Sequence, residues 1–295
     1  METGHSTVGR HKFGIFLCLL TGIFFGLSIT LAKLAYANGM SPTTFASMRA
    51  ISAVVVCSAM VFFFKSPWRL PKSASSEVIP VTVLFLMVAF GYPLAMKYVP
   101  ASIASLTFYL FPLIVLAIGS IKERHFPGVR RISIYLAAFA GLGIVLAPSV
   151  EDLQWQGILA GVVAAFGAAF YLTKVPKIMA ETNGMVVNVY ASAINIVVLL
   201  GAAWMLDEFQ FPSDLKGWLI ALLAGGFYGI AMVLVVFAIK YTNPTLASVF
   251  LNLEPLVVAI LAAILFAEFL SPVQYAGMVV VIGALMFASR RAVKV

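Results

Sequence analysis

Ten apolar runs of about twenty residues follow one another along this chain, at about 13–36, 44–64, 78–98, 101–121, 131–148, 156–177, 185–206, 217–239, 244–266 and 272–289. A helix rises about 1.5 Å per residue, so roughly 20 apolar residues cross a hydrocarbon layer some 30 Å thick. The runs are apolar all round rather than alternating with period two, which suits helices in lipid and not barrel strands. Ten such helices with short loops use up the 295 residues and leave no room for a separate soluble domain. Composition agrees, with 62% hydrophobic and 10% charged residues, against about 25% charged in a soluble domain. The expected fold is an all-α integral membrane protein of ten transmembrane helices. The first run, starting at Phe13, is longer than a signal-peptide core and no small-residue cleavage site follows it closely, so it is expected to stay as the first span.

The net charge of +8 does not point to nucleic acid, because Lys and Arg fall between apolar runs rather than on one basic face. They read as topology determinants. One side collects Arg10, Lys12, Lys65, Arg69, Lys72, Lys122, Arg124, Arg130, Arg131, Lys174, Lys177, Lys240, Arg290, Arg291 and Lys294. The other holds Lys33, Arg49, Lys97 and Lys216, with Glu151, Asp152, Asp207, Glu208 and Asp214 in its loops. Both termini are therefore expected in the cytoplasm. Cys18 and Cys57 lie in separate runs without metal-ligand or redox spacing, so buried free thiols are expected.

The two halves, 1–148 and 149–295, share a pattern. Phe25-Gly26, Leu31 and Lys33 recur 141 residues later as Phe166-Gly167, Leu172 and Lys174. Asn38-Gly39-Met40 and Ala46-Ser47 recur at 145 residues as Asn183-Gly184-Met185 and Ala191-Ser192, and Lys97-Tyr98, Ala104-Ser105 and Pro112-Leu113 recur at 143 as Lys240-Tyr241, Ala247-Ser248 and Pro255-Leu256. Common order at a narrow offset marks a duplicated unit. Five spans is an odd number, so the second copy runs upside down: a five-plus-five inverted repeat. Such repeats recur in secondary transporters, where they expose a central site to either side in turn.

The chain resembles the drug/metabolite transporter superfamily, and within it the EamA-type ten-helix exporters. The second half carries Ala247-Ser248, Leu253-Glu254-Pro255-Leu256, Ala267-Glu268 and Gly277; the first carries Ala104-Ser105, Phe111-Pro112-Leu113, Lys122-Glu123 and Gly141. Phe111 stands in place of the acidic residue, and Glu123 lacks the preceding small residue. The resemblance implies a multi-pass exporter of amino acids or related metabolites in the bacterial inner membrane, and the ensemble is similar to the aromatic amino-acid exporters.

Glu254 is the only acidic residue deep in a span. A charge there costs a few kcal/mol unless it faces protein or water, so it is a candidate for proton coupling or for meeting a substrate amine, against a structural carboxyl bonded to a neighbouring helix. Ser105, Tyr109 and Pro112 stand at i, i+4 and i+7, and the repeat maps them onto Ser248, Asn252 and Pro255, so each set would occupy one helical face lining a cavity. Small residues for close helix contact are the competing reading. Asn252 and Glu254 would then lie about 200° apart on one helix and could not both point into the same pocket. Tyr92, Tyr171 and Tyr228 sit within spans, where a ring offers stacking to a substrate or a hydroxyl bonds a neighbouring helix. For Asn188 and Asn195, interhelical bonding is favoured. The glycine pairs 22/26, 157/161 and 225/229 suit close packing, and Pro93 after Gly91 should kink the third span, as Pro112 and Pro255 should bend the fourth and ninth. Lys33, Lys97, Lys174 and Lys240 read as snorkelling charges, or as gate or interface charges with Glu151, Asp152 or Glu268 as partners. His5, His11 and His125 are expected in solvent.

No phosphate-binding loop, nucleophile elbow or metal-ligand pair is present, so neither an enzyme nor a cofactor is expected and energy would come from a gradient. The reading is a secondary carrier for a neutral or zwitterionic small molecule, expected to act as a monomer in the lipid bilayer. The alternatives are a nucleotide-sugar or other metabolite antiporter, which would want several basic groups near the midplane where none is expected, and a sensor, scaffold or channel.

Overall fold

Helix starts follow local chemistry. The Ser41 side chain caps the Thr44 N–H with Pro42 opening the helix, Asn183 caps Met185, Asp214 caps Gly217, and Asn243 caps Leu246 ahead of Pro244. Each side-chain oxygen takes an amide that the first turn leaves unpaired, and proline there sacrifices no helical hydrogen bond. Left-handed residues close several helices: Lys65 (φ 49°), Arg124 (φ 50°) and Asp207 (φ 56°).

The computed structural model describes residues 2–147, 153–266 and 270–292. In chain order the helices are α1 (Glu2–Ala37), α2 (Pro42–Phe63), the short α3 (Lys72–Ser75), α4 (Val78–Tyr98), α5 (Ala101–Phe108), α6 (Phe111–Glu123), α7 (Val129–Leu146), α8 (Trp155–Glu181), α9 (Gly184–Met205), α10 (Leu215–Tyr241), α11 (Pro244–Phe250), α12 (Leu253–Phe266) and α13 (Pro272–Ala292). No strand occurs among the described residues. They make ten spans long and apolar enough to cross a membrane, the fourth formed by α5 and α6 and the ninth by α11 and α12. The chain is a multi-pass membrane protein.

The strongest helix pairings join one half of the chain to the other. α1 packs on α10, α2 on α9, α4 on α8 and α7 on α13. Close approach depends on small residues. At Gly26 an added Cβ would lie 2.7 Å from Val257, and at Gly229 it would lie 2.8 Å from the Ser52 carbonyl oxygen. Lipid tails are as apolar as the protein, so such contact and interhelical bonds, not exclusion of water, hold helices together. Large apolar side chains accordingly face outward, Phe62, Val197 and Trp204 among them.

Ten spans with these approximate bounds match the apolar runs. Pro93 lies inside α4, which runs from Val78 to Tyr98, and Gly91 lets α4 approach the Ala160 carbonyl of α8.

Candidate functional site

The fourth and ninth spans are broken inside the membrane. α5 ends at Phe108 and α6 begins at Phe111; α11 ends at Phe250 and α12 begins at Leu253. Tightened backbone bonds carry the chain across, Leu110 N–H to Thr107 O at 3.3 Å in one, Asn252 N–H to Val249 O at 3.2 Å and Glu254 N–H to Leu251 O at 3.0 Å in the other. Pro112 and Pro255 stand just past the breaks, where a missing N–H is tolerated. These tightened turns fall within the sets Ser105, Tyr109 and Pro112, and Ser248, Asn252 and Pro255.

What the breaks bring together is the Tyr109 hydroxyl and the Glu254 carboxyl, which interact. Both residues are buried, at 4% and 7% exposure. Gly22 and Gly26 of α1 pack against Leu253 Cβ and the Glu254 backbone, holding the first span on this spot. Around Tyr109 the rings of Phe108 and Phe111 lie 5.4 and 5.8 Å away, and Tyr92 lies 5.4 Å from Phe108 while its hydroxyl meets the Ser105 hydroxyl at 2.7 Å.

Arg49 completes the cluster. The sequence puts it among the charges of a membrane face, but α2 begins at Pro42 and carries Arg49 into the interior. Its guanidinium carbon sits 4.0 Å from the centre of the Tyr228 ring. Tyr228 is the middle residue of the span Leu215–Tyr241, so a basic group does lie near the midplane, contrary to expectation. Arg49 acts electrostatically on Glu254, Tyr92 and Tyr36. It makes no direct ion pair with Glu254; among the described residues, the direct ion pairs are those of Glu77. The early Pro42 was the signal that would have placed Arg49 two turns inside.

Other expected site residues make bonds of their own. Tyr171 accepts a 2.8 Å hydrogen bond from Asn188 Nδ2 and packs on Phe85 at 4.8 Å, an interhelical tie. Ser248 is buried and donates to the Thr245 carbonyl at 2.8 Å, and the Tyr135 hydroxyl donates to the same oxygen. Asn252 donates from Nδ2 to Val249 O at 2.9 Å, while its Oδ1, like Asn195 Oδ1 and Ser28 Oγ, is buried without a hydrogen-bond partner. Cys18 and Cys57 are buried free thiols. His11 is partly exposed, with its Nε2 enclosed and without a hydrogen-bond partner.

Taking the face where α1 begins as the near face, Lys174 and Lys177 of α8 bind Glu77 there at 2.6 and 2.7 Å. Glu77 was not foreseen as a partner, although two lysines three apart on one helix were a signal for a shared acid. Close by, Asn183 Nδ2 donates to Ser66 Oγ at 2.8 Å. On the far face Ser41 and Thr44 donate to the Glu208 carbonyl oxygen, Thr44 at 2.7 Å, and Thr43 donates to the Glu208 carboxylate. Lys97 lies 5.9 Å from the Tyr98 ring centre; Lys33 and Lys240 are exposed. Glu151, Asp152, Ala267 and Glu268 lie outside the described residues.

Comparison with known proteins agrees with this architecture. A solved crystal structure of a protein superposes with a TM-score of 0.75, covering 97% of this chain and 98% of that one at 18% identity, a likeness that speaks for the fold. An uncharacterized transporter of Archaeoglobus fulgidus is 25% identical over 182 residues, which are 61% of this chain and 63% of that protein. The alignment thus spans less than two thirds of the relative's length. The model of the EamA-like transporter family matches twice, over residues 12–147 and 155–290. The chain, matched over nearly its whole length, belongs to the EamA-like transporter family.

Proposed function

We propose that this membrane transporter is a secondary carrier exporting small metabolites, foremost neutral amino acids including aromatic ones, across a bacterial cytoplasmic membrane by alternating access. Its halves form an inverted repeat with both termini in the cytoplasm, and the excess of Lys and Arg on the near face supports that orientation. The helix pairings support the repeat. Exchanging the first five spans for the last five turns the α1–α10 contact into the α8–α4 contact and returns α2–α9 and α7–α13 to themselves.

The observation that carries the reading is the pair of helix breaks meeting at Tyr109 and Glu254, beside Arg49 on Tyr228. Broken helices at mid-depth, lined by polar groups and aromatic rings, are how carriers hold a solute within the bilayer. One guanidinium opposed by a carboxylate suits a neutral or zwitterionic solute better than a phosphorylated one.

The test is efflux from liposomes containing the purified protein, preloaded with labelled Phe, Tyr, Trp, Leu and Thr, with and without a pH gradient. Saturable efflux above protein-free liposomes is expected. Its absence for all five would overturn amino-acid export.

A further inference from the structure

The interior holds two groups of opposite charge that do not neutralise each other by contact. Arg49 cannot lose its proton, and a buried cation without a counter-charge is costly in a membrane. The ring of Tyr228 lies against the guanidinium, 4.0 Å from its carbon, and offsets part of that cost. A guanidinium held at its face keeps the N–H groups along its edges, whose fork matches a carboxylate with two parallel hydrogen bonds. Arg49 is partly exposed, although it lies between buried Met48 and Ala50 and its neighbours Tyr228, Glu254 and Tyr92 come from three other helices. These neighbours therefore do not enclose Arg49 completely.

Glu254 lies within electrostatic reach of Arg49 but makes no ion pair with it. The Tyr109 hydroxyl accounts for one of its interactions, which leaves carboxyl lone pairs for another donor. The polar groups are flanked by rings: Phe25 lies 5.8 Å from Tyr228, and Phe108 and Phe111 surround Tyr109.

We infer that Arg49 binds the carboxylate of the transported molecule and Glu254, steadied by Tyr109, binds its amine, so that the site grips a small zwitterion by both charged ends. This deepens the carrier reading above and rests on it. A ligand with both charges completes two half-satisfied groups at once. Loss of either charge leaves one protein group desolvated without a partner, and such omissions discriminate far more strongly than a missing methylene. The aromatic walls then receive an apolar side chain.

The experiment uses the full chain in liposomes, as wild type, Arg49→Lys, Arg49→Gln and Glu254→Gln. Counterflow of labelled phenylalanine is measured against phenylalanine, phenylalaninamide, which lacks the carboxylate, and 3-phenylpropionate, which lacks the amine. Wild type should prefer phenylalanine over each analogue at least tenfold. Arg49→Gln should raise the KM for phenylalanine at least tenfold and erase the preference over the amide, Glu254→Gln should erase the preference over the acid, and Arg49→Lys should keep part of the first. Melting temperatures in detergent identify any variant that fails to fold, in which case Arg49→Lys alone decides by its weakened preference over the amide. Folded Arg49 variants with wild-type KM and preferences overturn the assignment while leaving the carrier reading intact. If wild type moves no amino acid, the carrier reading fails instead, and thermal shift decides the site: stabilisation by phenylalanine but by neither analogue supports it, and equal or absent shifts overturn it.

Discussion

At Tyr109 one hydroxyl serves the carboxyl of Glu254 while the ring packs between Phe108 and Phe111. Tyr109→Phe should keep the packing and remove the donor. A hydrogen bond to a charged or buried polar group contributes about 1–3 kcal/mol, so the initial rate of efflux per folded molecule should fall roughly tenfold or more. An unchanged rate would detach Tyr109 from transport. Tyr171 should behave in the opposite way. Its hydroxyl is taken by Asn188 at 2.8 Å, so Tyr171→Phe should cost about 0.5–2 kcal/mol of stability, read as a lower melting temperature, and leave KM near wild type. Glu254 was legible as a site from sequence because an acid deep in an apolar run stands out. Arg49 was not, because it lies only five residues into the apolar run beginning at 44, and its depth depends on a helix start set by Ser41 and Pro42.

At the scale of the helix, glycine position decides between tight contact and free surface. Gly229 and Gly226 lie one turn apart on α10, yet an added Cβ would meet the Ser52 carbonyl at 2.8 Å from the first and nothing within 4 Å from the second. Gly229→Ala should therefore separate α10 from α2, costing about 1–3 kcal/mol by overpacking. Gly226→Ala should be neutral or slightly stabilising, since alanine is the better helix former by up to about 1 kcal/mol. Thermal unfolding in detergent checks the pair, and equal shifts would contradict the helix contact described. Element number and span ends were readable because lipid demands long apolar helices. The breaks at Tyr109–Leu110 and Leu251–Asn252 were not, because an apolar run looks the same whether the backbone crosses it in one helix or two. Pro112 and Pro255 were visible, but a proline reads equally well as a bend within a helix or as the start of a new one.

Across the whole molecule, ties on both faces join the halves: Glu77 with Lys174 and Lys177 on one, Glu208 with Ser41, Thr43 and Thr44 on the other. Alternating access requires one set to part while the other holds. Glu77→Gln should weaken the near-face tie, by no more than about 1 kcal/mol, because its lysines are exposed enough to turn to water. Hydrogen exchange should then rise at the start of α4 and the end of α8. Glu123→Gln, an exposed acid on the same face, should leave exchange unchanged; equal effects of the two would remove Glu77 from any gating role. The two faces also differ in what heredity can reach. The near-face tie depends on one carboxylate, which a single codon change deletes, whereas two of the far-face bonds end on a main-chain oxygen that every residue at position 208 would supply. If the chain works by alternating access, as proposed, variation retunes the balance between its two open states mainly from one side, and natural variants with altered transport rates should accumulate around position 77 rather than position 208.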